Sequence, residues 1–234
     1  MAYILHIDTS ADSGLTAISK AGQLVAQKVN TDARNNASII NKDIESVLKT
    51  AGISLKDIAS IAVCSGPGSY TGLRIGTSTA KGICYAIDKP LMMHSKLLLI
   101  AHEVWNDLNR SQHSNKYTQF YSIIPAREGE YFISGYDKDF IETIEPCHIL
   151  EEEVMLLNLS PNTLVIGEMD EKIVAFIEQK KAGVHTSFKA KEANAESWAL
   201  YAYEQHNSKS FVNLANSEPN YLKKVYTHKP KSSK

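Results

Sequence analysis

The chain has 234 residues, 43% hydrophobic and 22% charged, enough for two small subdomains with proper cores. A formal net charge of −1 excludes an overall electrostatic footprint for nucleic acid, so any RNA contact has to be local or supplied by a partner. The start MAYILHIDTS reaches Asp8 without a basic stretch, and the longest apolar run elsewhere, residues 97–101, is far too short for a bilayer; a cytoplasmic protein is expected.

Alternating or apolar runs at 3–7, 15–19 and 23–29, separated by SADSG and KAG, predict an antiparallel three-stranded meander. From 36 to 51 the period changes to that of a helix, with Ala37, Ile40, Ile44, Val47, Leu48 and Ala51 on one stripe and Gly52 ending it. Ile39 and Asp43 lie off the centre of that stripe and suggest a second contact face. A strand at 58–64 runs into the loop CSGPGSYTG and a helix at 71–87, along which Gly72, Gly76 and Ala80 form a small-residue line that admits a close neighbour. A short apolar segment at 91–93 and a helix at 96–108 follow. The polar run NRSQHSNK at 109–116 is the candidate boundary between an N-terminal unit, 1–108, and a C-terminal unit, 109–234.

The second unit repeats the order of the first. Strands are expected at 118–124, 131–136 and 140–144, a helix at 150–157, a strand at 164–167, a helix at 171–181, a short strand around Val184, a helix at 193–206 and a basic tail. Meander, helix, strand, helix, strand, occurring twice, predicts an α/β fold of two stacked ribonuclease-H-like subdomains, as in actin, sugar kinases and Hsp70 ATPase domains.

Asp8 closes the first strand. In nucleotide-binding members of that fold class an aspartate here orients a metal or the attacking water, and hairpin N–H groups hold phosphate; an aspartate bonding its own turn gives the same letters. The expected matching acid in the second hairpin, IIPAREGE, is replaced by Pro125. Asp8, Thr9, Gly66, Gly68, Ser69, Gly72 and Arg74 make up a candidate phosphate or partner loop. The loop matches neither G-x-G-x-x-G nor G-x-x-x-x-G-K-[ST], and Ser69 or Thr71 is suited to cap the following helix. Cys64 and Cys84 read as small buried hydrophobes, and Cys147 completes an odd set with no C-x-x-C pair, hence no disulfide framework or thiolate zinc site. The eight histidines include no H-E-x-x-H, and no G-x-S-x-G elbow is present; neither metal ligands nor catalytic residues are expected. Lys223, Lys224, Lys229, Lys231 and Lys234, with Tyr221 and Tyr226 between them, form a basic tail of the kind that contacts RNA or is simply solvated.

ILHIDTS, GPGSYTGLRIGTSTAKGI, the AREGE turn and the late PNYLKK together resemble the TsaB (YeaZ) family, over essentially the full chain. The resemblance implies a non-catalytic relative of TsaD within the actin/Hsp70/sugar-kinase superfamily. Such a protein scaffolds TsaD during transfer of threonylcarbamoyl to N6 of adenosine 37 of tRNA, with TsaE and a threonylcarbamoyl-AMP synthase acting alongside. It further implies a heterodimer with TsaD, a homodimer when alone, contact with tRNA only through the complex, and no cofactor in the isolated chain, ATP or ADP lying at the partner interface. Carried onto this sequence, the dimer surface falls on Ile39, Ile40, Asp43, Ile44, Val47, Leu73, Thr77 and Ala80. Asn36, where many relatives have histidine, and Pro125 depart from the family pattern. The alternatives are an independent nucleotide-binding ATPase or kinase, motivated by Asp8 and the glycine loop, and a glycoprotease-like peptidase.

Overall fold

The computed structural model describes residues 2–111, 116–180, 182–189, 192 and 194–223. The meander forms as β1 (Tyr3–Asp8), β2 (Gly14–Lys20) and β3 (Gln23–Asn30), followed by α1 (Asn36–Ala51), β4 (Ile58–Gly66), α2 (Tyr70–Ile87), β5 (Leu91–Ser95) and α3 (Lys96–Arg110). Its sheet has the order β3-β2-β1-β4-β5, antiparallel within the meander and parallel from β1 through β5.

The second half supplies β6 (Gln119–Arg127), β7 (Glu130–Asp137), β8 (Glu142–Leu150), α4 (Glu151–Leu156), β9 (Thr163–Gly167), α5 (Glu171–Lys180) and β10 (Val184–Phe188). Its order β10-β9-β6-β7-β8 is that of the first sheet read from the other end. The fold is therefore the expected pair of ribonuclease-H-like α/β units. The third strand of this half was expected at 140–144 and lies further on. Phe140 sits in the preceding turn at φ 60, and β8 runs on to Leu150, through Pro146, which an edge strand tolerates because one ladder N–H is dispensable there.

Alternate residues of the central strands bury on opposite faces, as a pleated sheet requires. Leu5, Ile7, Ile61 and Val63 meet Ile40, Ile44 and Val47 of α1 and Ala80 and Cys84 of α2. Ile4, Ala62 and Met92 on the other face meet Trp198 and Ala202 of the last helix, α6 (Ala195–Asn207). The polar run thus separates the chain in sequence but not its cores. The terminal helix, which the sequence grouped with the second unit, covers the first sheet instead. In turn α3, read as the end of the first unit, lays Leu97, Ile100 and Ala101 on Phe120, Ile124 and Tyr136 of the second. α6 packs on α3, and α3 in turn on strands of both sheets, so α3 is the layer that the two sheets share.

The histidines around that layer are held neutral. The indole Nε1–H of Trp198 donates to His94 Nδ1 at 2.8 Å, His6 Nε2 bonds Ser19 Oγ at 2.8 Å, and Tyr201 sets its ring against both His94 and His102 at 4.9 and 4.8 Å. Burial pushes His6 and His94 down to about 3 and His102 down to about 4, and the neighbouring histidine adds to the shift at His6 and His94. The unfolded chain takes up these protons near pH 6.5 and the folded chain only near pH 3–4, so protons favour unfolding between those values. Urea denaturation is expected to show a plateau above about pH 7, then a loss toward pH 4 of up to about 1.4 kcal/mol per pH unit for each histidine. A plateau that continued to pH 4 would show that these rings are hydrated.

Candidate functional site: the Asp8 hairpin and the glycine loop

β1 carries apolar residues through the centre of its sheet and ends on Asp8 at the carboxyl edge of the parallel strands, where open α/β sheets place ligands. Asp8 Oδ1 accepts the Ser10 backbone N–H at 2.8 Å and the Ser10 hydroxyl at 2.6 Å. Its other oxygen, Oδ2, lies 3.1 Å from Lys96 Nζ, and the two side chains are only 3% and 1% exposed. Burial pushes the Asp8 carboxyl up, but the ammonium and the Ser10 bonds outweigh it and hold the group below its ordinary range. Burial likewise pushes Lys96 down, and Asp8 holds it above. Both shifts favour the ionised pair. Cys64, whose Sγ lies 3.5 Å from Ser10 Oγ, is pushed up to about 12 by burial and by the Asp8 charge, and is a neutral packing group.

Lys96 was read from the sequence only as the start of a helix. The available signal was a lysine placed directly between a short strand and four apolar residues, LLLI. β5 beside β4 sets it there, with Ser95 in register with Gly66.

The glycine loop packs on the same hairpin. Ser69 N–H donates to the Ser10 carbonyl at 2.8 Å and Thr9 Oγ1 to the Gly72 carbonyl at 2.6 Å, while Ser69 Oγ caps α2 by accepting from Gly72 N–H at 3.2 Å. A Cβ on Gly68 would run into the Ser10 carbonyl oxygen, and one on Gly72 into that of Thr9. The glycines serve this close approach; the Ser69 amide is committed to the hairpin and the Gly72 amide to the Ser69 cap. Arg74 lies outside the loop, its guanidinium 4.4 Å from the centre of the Tyr70 ring and its Nε 3.4 Å from Tyr221 Oη.

A cleft of about 510 Å³ opens between this loop and the second hairpin at Pro125–Arg127, with Asn220–Lys223 along its rim and Lys96 in its wall. A smaller cavity of about 240 Å³ lies on the other side of the ion pair, lined by Asp8, Ser13, Gln27 and Glu192. The described part of the tail is bound to the fold. Tyr221 stacks on Tyr70 at 4.8 Å, Asn220 N–H donates to the Ser65 carbonyl at 2.8 Å, and Lys223 pairs with Glu130, which also bonds His148. Lys224, Tyr226, Lys229, Lys231 and Lys234 lie outside the described residues.

The expected dimer surface fares differently. Ile40, Asp43, Ile44, Val47, Leu73, Thr77 and Ala80 are all buried within the chain's own fold, and of the eight only Ile39 retains partial exposure. Their helical stripe faces the sheet, and Asp43 is paired with Lys28 at 2.9 Å. A side chain already buried at home has no surface to offer a partner.

The chain is similar to the tRNA threonylcarbamoyladenosine biosynthesis protein TsaB of Escherichia coli, at 32% identity over 58% of this chain and 55% of that protein. It is similar also to the protein of the same name from Buchnera aphidicola of Baizongia pistaciae, at 28% identity over 67% and 66%. It thus spans between about half and two thirds of the length of these curated relatives. A family model described as TsaD, tRNA N6-adenosine threonylcarbamoyltransferase, matches residues 23–224. The chain belongs to the TsaD family, in its TsaB/YeaZ branch. A solved structure from Pseudomonas aeruginosa, described as similar to peptidase YEAZ, superimposes with a TM-score of 0.74 over 95% of this chain and all of that one. At 19% identity that likeness speaks to the fold alone.

Gly72→Ala tests the packing role of the loop. The methyl group is expected to displace α2 from the Asp8 hairpin and to cost about 1–3 kcal/mol in chemical denaturation, whereas a glycine kept only for phosphate would tolerate alanine with no loss of stability.

Proposed function

We propose that the chain is an accessory subunit in the synthesis of threonylcarbamoyladenosine in tRNA. In this reading it binds a TsaD subunit and supports transfer of threonylcarbamoyl to N6 of adenosine 37 without performing the transfer itself. TsaE is a further partner, tRNA is reached through the complex, the chain pairs with itself when alone, and ATP or ADP lies at the partner interface.

One observation carries the reading beyond family membership. The Asp8 carboxylate, where a catalytic member of this fold class would hold a metal ion or water, is bonded on both oxygens by Ser10 and Lys96. The glycine loop, the other part of such a site, closes on Thr9 and Ser10. In addition, no helix among the described residues is long and apolar enough to cross a membrane.

The docking surface we propose is the outward side of α2. Arg74, Ser78 and Tyr85 follow one another at helical spacing on that side, and Tyr85 is 83% exposed. An exposed tyrosine gives a large rigid contact at low entropic cost. Sedimentation of the chain with its cognate TsaD at micromolar concentration is expected to show a complex, and absence of one, with and without nucleotide, would remove the proposal. Tyr85→Asp is expected to leave the melting temperature unchanged and to weaken that association by roughly tenfold or more. The cleft beside Lys96 favours the independent ATPase or kinase as the second reading. ATP turnover by the isolated chain, lost in Asp8→Asn, would establish it instead.

A further inference from the structure

The fold class uses an aspartate at the end of its first strand to hold a metal ion, and the residues around Asp8 here do not fit one. Both carboxylate oxygens are engaged, and a positive charge sits 3.1 Å from Oδ2. A divalent ion brought to Oδ2 would meet that ammonium at contact distance in a medium that screens poorly. On the side of the second hairpin, Pro125 offers no oxygen beyond its backbone carbonyl.

We propose that the Lys96 ammonium is this chain's permanent replacement for the metal ion at Asp8, excluding divalent cations and holding the start of α3 against the end of β1 without any ligand. The observations that carry this are geometric: Lys96 lines the larger cleft, Asp8 lines the smaller cavity, and the two side chains meet at 3.1 Å. The smaller cavity is lined by the oxygen-bearing side chains of Asp8, Glu192, Ser13 and Gln27, of the hard type that Mg²⁺ or Mn²⁺ prefers, though among the described residues no cluster of three acidic or imidazole ligands is present. With the ammonium in place Asp8 Oδ2 faces a cation already; with it removed that oxygen loses its counter-charge. Because α3 also packs on the second sheet, the pair fixes the setting of the two halves in a way that does not depend on a bound nucleotide or metal.

The test uses the isolated full chain and rests on the same Asp8 contacts as the accessory-subunit reading, whose own failure is read separately, as absence of a complex with TsaD in sedimentation. Lys96→Met keeps the volume and removes the charge. Wild type is expected to bind no Mn²⁺ by electron paramagnetic resonance at millimolar ion and to melt at the same temperature with or without it. Lys96→Met is expected to melt lower, to regain stability on addition of Mn²⁺ or Mg²⁺, and to bind one Mn²⁺ at least about tenfold more tightly than wild type. The double variant Asp8→Asn/Lys96→Met, with neither charge, is expected to be more stable than Lys96→Met and indifferent to the ion. Mn²⁺ bound by the wild type and lost in Asp8→Asn would overturn the proposal. So would a Lys96→Met chain that Mn²⁺ fails to restore while the double variant folds.

Discussion

A carboxylate at the buried end of a central strand has to be neutralised where it stands, and much of this structure follows from how that is done at Asp8. Isolated ionised groups in a protein interior cost several kcal/mol each, and removing one partner of a buried pair typically costs about 3–5 kcal/mol. The ammonium therefore has to arrive with the fold, and it arrives on the first residue of α3. Ser10, bonded to the same carboxylate, turns its carbonyl toward the glycine loop and receives Ser69 N–H. Strand β1, helix α2 and helix α3 converge on one turn of chain, and each constrains the other two.

That convergence also explains why the two halves are not independent. Each sheet is a five-stranded copy of one topology, yet neither closes its inner face alone. The first borrows α6 from beyond the second, and the second borrows α3 from the first. The segment after α6 adds to this, with Val212 bridging to Leu91 and Lys81 of α2 reaching the carbonyl oxygens of Ala215 and Ser217. The apolar stripes of α1 and α2 are committed to the chain's own core, and the outward side of α2, with Tyr85, stays exposed.

Much of this was legible in the letters where a single local rule applied. Alternation gave the meander, the 3.6-residue stripe gave α1, and Gly52 ended it in a left-handed turn at φ 67. The doubled order of elements gave the fold class. The family motifs were legible too, since the loop from Gly66 to Gly76 combines close-approach glycines with a helix start. Other features depended on partners distant in sequence. The strand expected at 140–144 runs on through Pro146 to Leu150, which depends on β8 lying at a sheet edge. The stripe of α1 was correct, but no periodicity says whether a stripe faces its own sheet or another chain, and Ile40, Ile44 and Val47 face their own.

The sequence by itself determined the two-unit α/β architecture, the glycine loop between β4 and α2, and membership of a family, because each rests on residues close together in the chain. Only the tertiary structure decided which sheet α6 covers, which side of α1 and α2 is open to solvent, and what faces Asp8. The physical reason is the same in all three. Asp8 and Lys96 are 88 positions apart, and the energy of a buried charge depends on what lies within a few ångströms of it, which a linear reading does not contain.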